Sequence, residues 1–85
     1  MQEVEKELRD YVVGNFLFGR DDPSLRNGDS LTERGVVDST GVLELIQHLE
    51  TDYGIRVEDD ELVPDNLDSI SNLARFVLRK TGRPT

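Results

Sequence analysis

The chain contains no cysteine, so no disulfide framework supports its 85 residues and the core must form by packing alone. That absence, together with a single histidine, excludes a structural zinc site built from one isolated chain. No apolar run approaches the ~20 residues that a membrane-spanning helix needs. Residues 1–10, MQEVEKELRD, are charged throughout and lack the apolar stretch of a secretory signal. The expectation is one cytoplasmic domain covering residues 1–85. Bases are almost missing from the middle of the chain: residues 38–68 hold Arg56 against ten acids, a net charge of −9. Residues 1–37 carry −3 and residues 69–85 carry +4, for a total of −8. Phosphates repel such a surface, which argues against nucleic acid and anionic membrane as partners. A protein with a basic patch would be steered towards it, although acidic surfaces also simply keep small proteins dispersed.

There is no internal repeat and no low-complexity tract. From about Gln2 to Asn15, the residues Val4, Leu8, Tyr11, Val12 and Asn15 fall on one helix face, apolar until its last position. Gly14 and the following NFLFG place the helix end there, and Phe16, Leu17 and Phe18 are expected to fold back onto the core. Gly19 to Asp38 is a long connection with turn signals at DDP, NG and RG. A loop of ~20 residues in a compact domain is often functional; Leu25, Leu31, Val36 and Val37 are its expected anchors. The second helix, 39–53, is capped by Asp38 or Ser39. It carries Val42, Leu45, Ile46, Leu49 and Tyr53 on one stripe, and Gly54 stops it. Ile55 and Val57 alternate with Arg56, but two residues are too few for a strand and a loop is expected. Residues 59–63 form a short turn limited by Pro64. A last helix over 69–80 places Ile70, Leu73, Ala74, Val77 and Leu78 on one face and Arg79 and Lys80 in its final turn, with Gly82 and Pro84 beyond it. The expected fold is an all-α bundle of three to four helices with a long loop between the first two.

Few residues can carry chemistry. A relay between Ser39 and His48 fails on geometry: nine residues of helix separate them by ~13.5 Å of rise and about half a turn of phase. His48 therefore reads as a surface helix residue, and VVDSTG lacks the nucleophile elbow of hydrolases. Residues 58–69, EDDELVPDNLDS, have no glycine and no EF-hand spacing. Three Asp-Ser pairs remain: Asp29-Ser30 in the loop, Asp68-Ser69 at the last helix as an N-cap, and Asp38-Ser39 at the second. On capping grounds alone Ser39 reads as structural too. What sets its pair apart is context, between the anchored loop and a helix whose outer face is acidic.

From Asp29 onward the segment DSLTERGVVDSTGVLELIQHLETDYGIRV resembles acyl and peptidyl carrier proteins of the stand-alone type. The resemblance lies in Leu31, Gly35, Asp38-Ser39, the L-E-L of Leu43 to Leu45, Leu49 and Tyr53. It continues through Ile55, Val57, Leu67, Ile70 and Leu73, covering roughly residues 4–80. It implies a 4′-phosphopantetheine arm on Ser39, installed from coenzyme A by a phosphopantetheinyl transferase with magnesium, with Asp38 aiding that transferase. The arm's thiol would hold an acyl or aminoacyl group as a thioester, in fatty-acid-like, polyketide-like or amino-acid-activating pathways. The partners implied are that transferase, an adenylating ligase and a downstream transferase or synthase with a basic patch. The protein itself is expected to be a non-catalytic monomer. Glu44, Gln47, His48, Glu50 and Thr51, on the polar side of the second helix, are the candidate partner contacts. Thr40 and Gly41 replace the Leu or Met that follows the serine in many fatty-acid carriers. The stretch Glu58–Leu67 is also longer, as in carriers paired with adenylating ligases. A helical glycine costs about 1 kcal/mol against alanine, less near an end. Gly41→Ala is thus expected to be more stable yet to load or unload more slowly, the small residue leaving room for an enzyme surface or the arm. The core stripe Val42, Ile46, Leu49, Val57, Leu73 and Val77 reads as simple packing for a short or polar cargo. The competing readings are an unmodified acidic interaction module and a small hydrolase using Ser39.

Overall fold

A computed structural model describes residues 2–82. Four helices follow in order: α1 (Gln2–Phe16), α2 (Ser39–Tyr53), α3 (Pro64–Leu67) and α4 (Ile70–Thr81), with a 3₁₀ turn at Asp59–Glu61 before α3. No strand occurs among the described residues, and residues 55–57 are irregular. None of these helices is long and apolar enough to cross a membrane. The all-α bundle expected from the periodicities is the one observed.

α4 lies at the centre because it is apolar around more than one face. Ile70, Leu73, Ala74, Phe76, Val77 and Leu78 are all buried. Phe76 is off the stripe that the sequence suggested, yet it is fully buried. The charged ends of Arg79 and Lys80 lie 5.7 and 5.9 Å from the centre of its ring. A helix packed on two sides needs a wider apolar arc than the single face of an amphipathic surface helix. α1 contributes Val4, Leu8 and Val12 to the core, and α2 contributes Leu45 and Leu49. Each such side chain adds about 1.5–3 kcal/mol of burial. Ser69 caps α4 by accepting from the Asn72 N–H at 3.0 Å, and Gly82, at φ 69°, closes it. Pro84, expected as a second stop, lies outside the described residues.

Pro64 departs from its expected role. It stands at the first turn of α3, where its missing N–H is no loss, and so starts a helical turn in place of merely ending one. The Phe16–Phe18 segment also departs in part. Phe16 and Leu17 pack against the core, but Phe18 is 94% exposed and holds a left-handed φ of 57°. That conformation is costly for a side chain with a Cβ. Phe18→Gly should therefore raise stability by about 0.5–1 kcal/mol in urea unfolding. A loss of stability would mean that the ring makes a contact the fold depends on.

The long loop is pinned in two halves. Its front half is held by Arg9, which donates to Asp21 Oδ1 at 2.7 Å, Asn27 Oδ1 at 2.8 Å and the carbonyls of Asp22 and Leu25. The Arg9 hydrogen bond holds the Asp21 carboxyl below the usual carboxylate range. Leu25 is buried beneath this cluster. The rear half is held at Asp68. Its backbone carbonyl accepts from the Leu31 N–H at 2.8 Å. Its carboxylate accepts from the Thr32 N–H at 3.1 Å, the Thr32 hydroxyl at 2.9 Å and the Ser30 hydroxyl. Burial pushes the Asp68 pKa up, but these hydrogen bonds outweigh it and the carboxyl sits below its usual range. The depressed pKa stabilises the fold above the unfolded carboxyl's pKa; that contribution is lost as pH falls through the folded value.

Candidate functional site

The loop's rear half leads directly into the start of α2. Leu31, 1% exposed, accepts at its carbonyl from both Val36 and Val37, at 2.9 and 3.2 Å. Val37 is buried, which leaves Asp38 and Ser39 emerging together at the surface. Asp38 is the N-cap: its backbone is extended and its Oδ1 accepts from the Gly41 N–H at 2.8 Å. Since Asp38 takes the capping role, Ser39 is the first helical residue and its hydroxyl is not consumed by the cap.

The three Asp-Ser pairs now separate. Ser30 gives its hydroxyl to Asp68 and accepts from the Glu33 N–H. Ser69 is 4% exposed and caps α4. The loop pair and the last pair thus satisfy each other and the backbone. Ser39 is exposed, and its hydroxyl has no partner among the described residues. The N–H groups of Ser39 and Thr40 likewise have no acceptor among the described residues, so the positive end of the α2 dipole is open beside that hydroxyl.

An apolar cleft of about 260 Å³ begins one turn further along α2. Val42, Leu43 and Ile46 form one wall, at i+3, i+4 and i+7 from Ser39. Leu62, Val63, Pro64 and Leu67 form the other, and Thr32 and Asp68 are its polar lining. Leu43, Leu62 and Val63 remain substantially exposed. Of the stripe read as simple packing, only Val42 and Ile46 reach this cleft, while Leu49, Leu73 and Val77 are closed in the core.

The candidate partner contacts are not equivalent. Glu44, Gln47 and Thr51 are exposed as expected. Glu50 is exposed, but its carboxylate accepts from the Val57 N–H at 3.0 Å and thereby holds the turn after α2. His48 is less exposed than a surface reading implies. Its side chain is 16% exposed, stacked on Tyr11 with ring centres 3.7 Å apart and its Nδ1 3.4 Å from Asp52. Glu44, Gln47, His48 and Thr51 line a shallow polar depression with Tyr11, Asn15 and Asp52. Burial, and then the charges of Glu44 and Asp52, push the Tyr11 pKa up. The contribution of α1 was missed from sequence. Its signal was Asn15, the polar residue that ends an otherwise apolar stripe.

A family model described as the phosphopantetheine attachment site matches residues 17–77. The chain belongs to this carrier family. The family is defined by covalent attachment of 4′-phosphopantetheine, and a carrier role follows from membership. The residues present suit the group: a free hydroxyl at an open helix N-terminus, where an anionic phosphodiester is favoured. A solved structure described as "Crystal structure of FAD-dependent dehydrogenase" contains a chain 25% identical to this carrier, with a TM-score of 0.69. The match covers 81% of the carrier and 96% of that chain, which is therefore itself a small domain. No curated protein sequence matches.

Proposed function

We propose that Ser39 bears the phosphopantetheine arm and that the chain holds an acyl or aminoacyl group on it as a thioester, for presentation to partner enzymes. The observation that carries this reading is the contrast among the three serines: two have their hydroxyls engaged, and Ser39 has its hydroxyl exposed at the mouth of α2. In the transfer, the Ser39 oxygen attacks the β-phosphorus of coenzyme A. The bond to 3′,5′-ADP breaks and that group leaves with the bonding electrons, while the hydroxyl proton passes to a base of the transferase. Asp38, held in place by the Gly41 N–H, sits adjacent for the transferase and its magnesium. A tethered substrate is kept at high effective concentration for successive enzymes, and the cleft beside Val42 and Leu43 lies on the face from which the arm would leave. Beyond the Ser39 oxygen that receives the arm, this chain supplies no reacting group in that scheme.

The test is intact mass. Incubated with coenzyme A, magnesium and a broad-specificity transferase, the chain should gain the mass of one phosphopantetheine, and fragmentation should place it on Ser39. A chain that gains nothing would leave the unmodified acidic interaction module, the alternative reading, in its place. The likeness to the chain from the dehydrogenase structure supports adding a flavin-dependent dehydrogenase to the proposed partners, beside the adenylating ligase and the downstream synthase.

Partner docking is proposed on α2 through Glu44, Gln47 and Thr51, with the edge of His48. Exposed charges of this kind act mainly on association rate. Glu44→Lys should slow transfer to basic partners several-fold at low salt, the difference shrinking as salt is added, with the circular dichroism spectrum unchanged. Transfer as fast as the parent's at low salt would remove Glu44 from the interface.

A further inference from the structure

Asp68 does more than precede a helix cap. Among the described residues, every hydrogen bond between the segment 30–37 and the helices α1, α3 and α4, or the junctions between them, ends on this one residue. The remaining polar contacts of the segment are made with its own loop: Arg34 to Ser24, Asp22 and Asp29, and Glu33 to Ser30. The Asp68 backbone N–H closes α3 by donating to the Pro64 carbonyl at 2.9 Å, but its carboxylate is not spent on capping α4, because Ser69 takes that role. It faces no cation among the described residues; its carboxylate is satisfied by neutral donors from Ser30 and Thr32. Leu31, between those two donors, is tied to the Asp68 carbonyl and in turn receives Val36 and Val37. Val37 is the buried residue before the cap, and its Cγ1 fills the space in front of the Gly41 Cα, 2.9 Å from where a Cβ would stand. An unbroken sequence of short contacts therefore runs from the start of α4, through Leu31, to the first turn of α2.

We propose that Asp68 is a positioning residue for the modification of Ser39, fixing the first turn of α2 against the bundle without touching the reacting groups. This rests on the attachment of the arm at Ser39. A nucleophile displaced by about 1 Å can lose up to 10²-fold in rate; removing the Asp68 carboxylate leaves the backbone bond to Leu31 and takes away the ties to Ser30 and Thr32 on either side of it, so the first turn of α2 shifts by less. The docking face of α2 is left intact, so the loss belongs in kcat and not in KM for the carrier.

The experiment compares the full-length apo chain with Asp68→Ala, Asp68→Asn and Asn27→Ala, all loaded by the same transferase. Asn27→Ala removes a tie of similar kind from the front half of the loop, where Arg9 is its partner. Asp68→Ala should lower kcat about tenfold with KM for the carrier unchanged. Asp68→Asn, whose amide oxygen still accepts from the Thr32 N–H, should recover part of that loss. Asn27→Ala should load at the parental rate. Amide hydrogen exchange should show faster exchange at Val36 and Val37 in Asp68→Ala and not in Asn27→Ala. Parental kcat in folded Asp68→Ala, or an equal loss in Asn27→Ala, overturns the proposal. If the parent itself accepts no arm, the attachment reading fails first, and unchanged exchange at Val36 and Val37 would then overturn the tie independently.

Discussion

Ser39→Ala should abolish loading altogether while leaving the helical spectrum intact and the unfolding midpoint close to the parent's. The expected loss is complete because the oxygen proposed to form the new phosphoester bond is removed, and neither serine in a similar sequence context can replace it. Ser30 would have to surrender its hydrogen bond to Asp68, and Ser69 its cap on the Asn72 N–H. Each exchange would leave a partner unsatisfied, at a cost of about 1–3 kcal/mol where the group is buried. The fold, by contrast, hardly notices the substitution. Ser39 is exposed, makes no side-chain hydrogen bond among the described residues, and occupies a helical position where alanine is the better helix former. The cap of α2 belongs to Asp38 and survives. Intact mass after exhaustive transferase treatment reads the first half of the prediction, and urea unfolding reads the second. A Ser39→Ala chain that still accepts one arm would move the site elsewhere, while a chain that unfolds would show that the hydroxyl has a structural role the contacts do not reveal.

The helices were legible in the sequence because their apolar positions repeat at 3.6 residues and their ends carry short polar caps or glycine. α2 and α4 begin and end within a residue or so of where those signals place them. The loop anchors Leu25, Leu31 and Val37 were legible for a different reason: isolated large apolar residues in a polar connection have little else to do. What could not be read was every contact between segments distant in sequence. Ser30 and Asp68 are 38 positions apart, and nothing local to either announces the other. Each looked like a member of an Asp-Ser pair of its own. Pairing them is what leaves Ser39 with the unengaged hydroxyl, so the proposed site rests on resemblance in the sequence and on elimination in the structure. Phe76 and His48 illustrate the same limit on a smaller scale. Whether a helix is covered on one side or two decides their burial, and that is a property of the assembled bundle.

Gly41 gives the sharpest reversal. Helix propensity alone predicts that Gly41→Ala stabilises the protein, by at most about 1 kcal/mol this near a helix start. In the folded chain Gly41 is buried, and the space in front of its Cα is already taken. A Cβ there would stand 2.9 Å from Phe16 Cε1, 2.9 Å from Val37 Cγ1 and 3.4 Å from Asp38 Oδ1. The Phe16 atom is the far end of a half-buried ring and can swing away. Val37 is 3% exposed, short and β-branched, with a restricted χ1 and no room to retreat. Overpacking of this kind costs about 1–3 kcal/mol, more than the helix gains. Gly41→Ala should therefore lose about 1–2 kcal/mol in urea unfolding, and Gly41→Val should lose more. The room that the sequence reserved for an enzyme or for the arm is filled by the protein's own α1 and loop. The strain has a second outlet, since Val37 is two residues from Ser39: any relief obtained by shifting the first turn of α2 moves the proposed attachment oxygen, and loading should slow together with the loss of stability. Val37→Ala introduced into Gly41→Ala should return part of both, a coupling that independent sites would not show. Parental or greater stability in Gly41→Ala would mean that Phe16 and Val37 yield freely, and propensity would then govern this position after all.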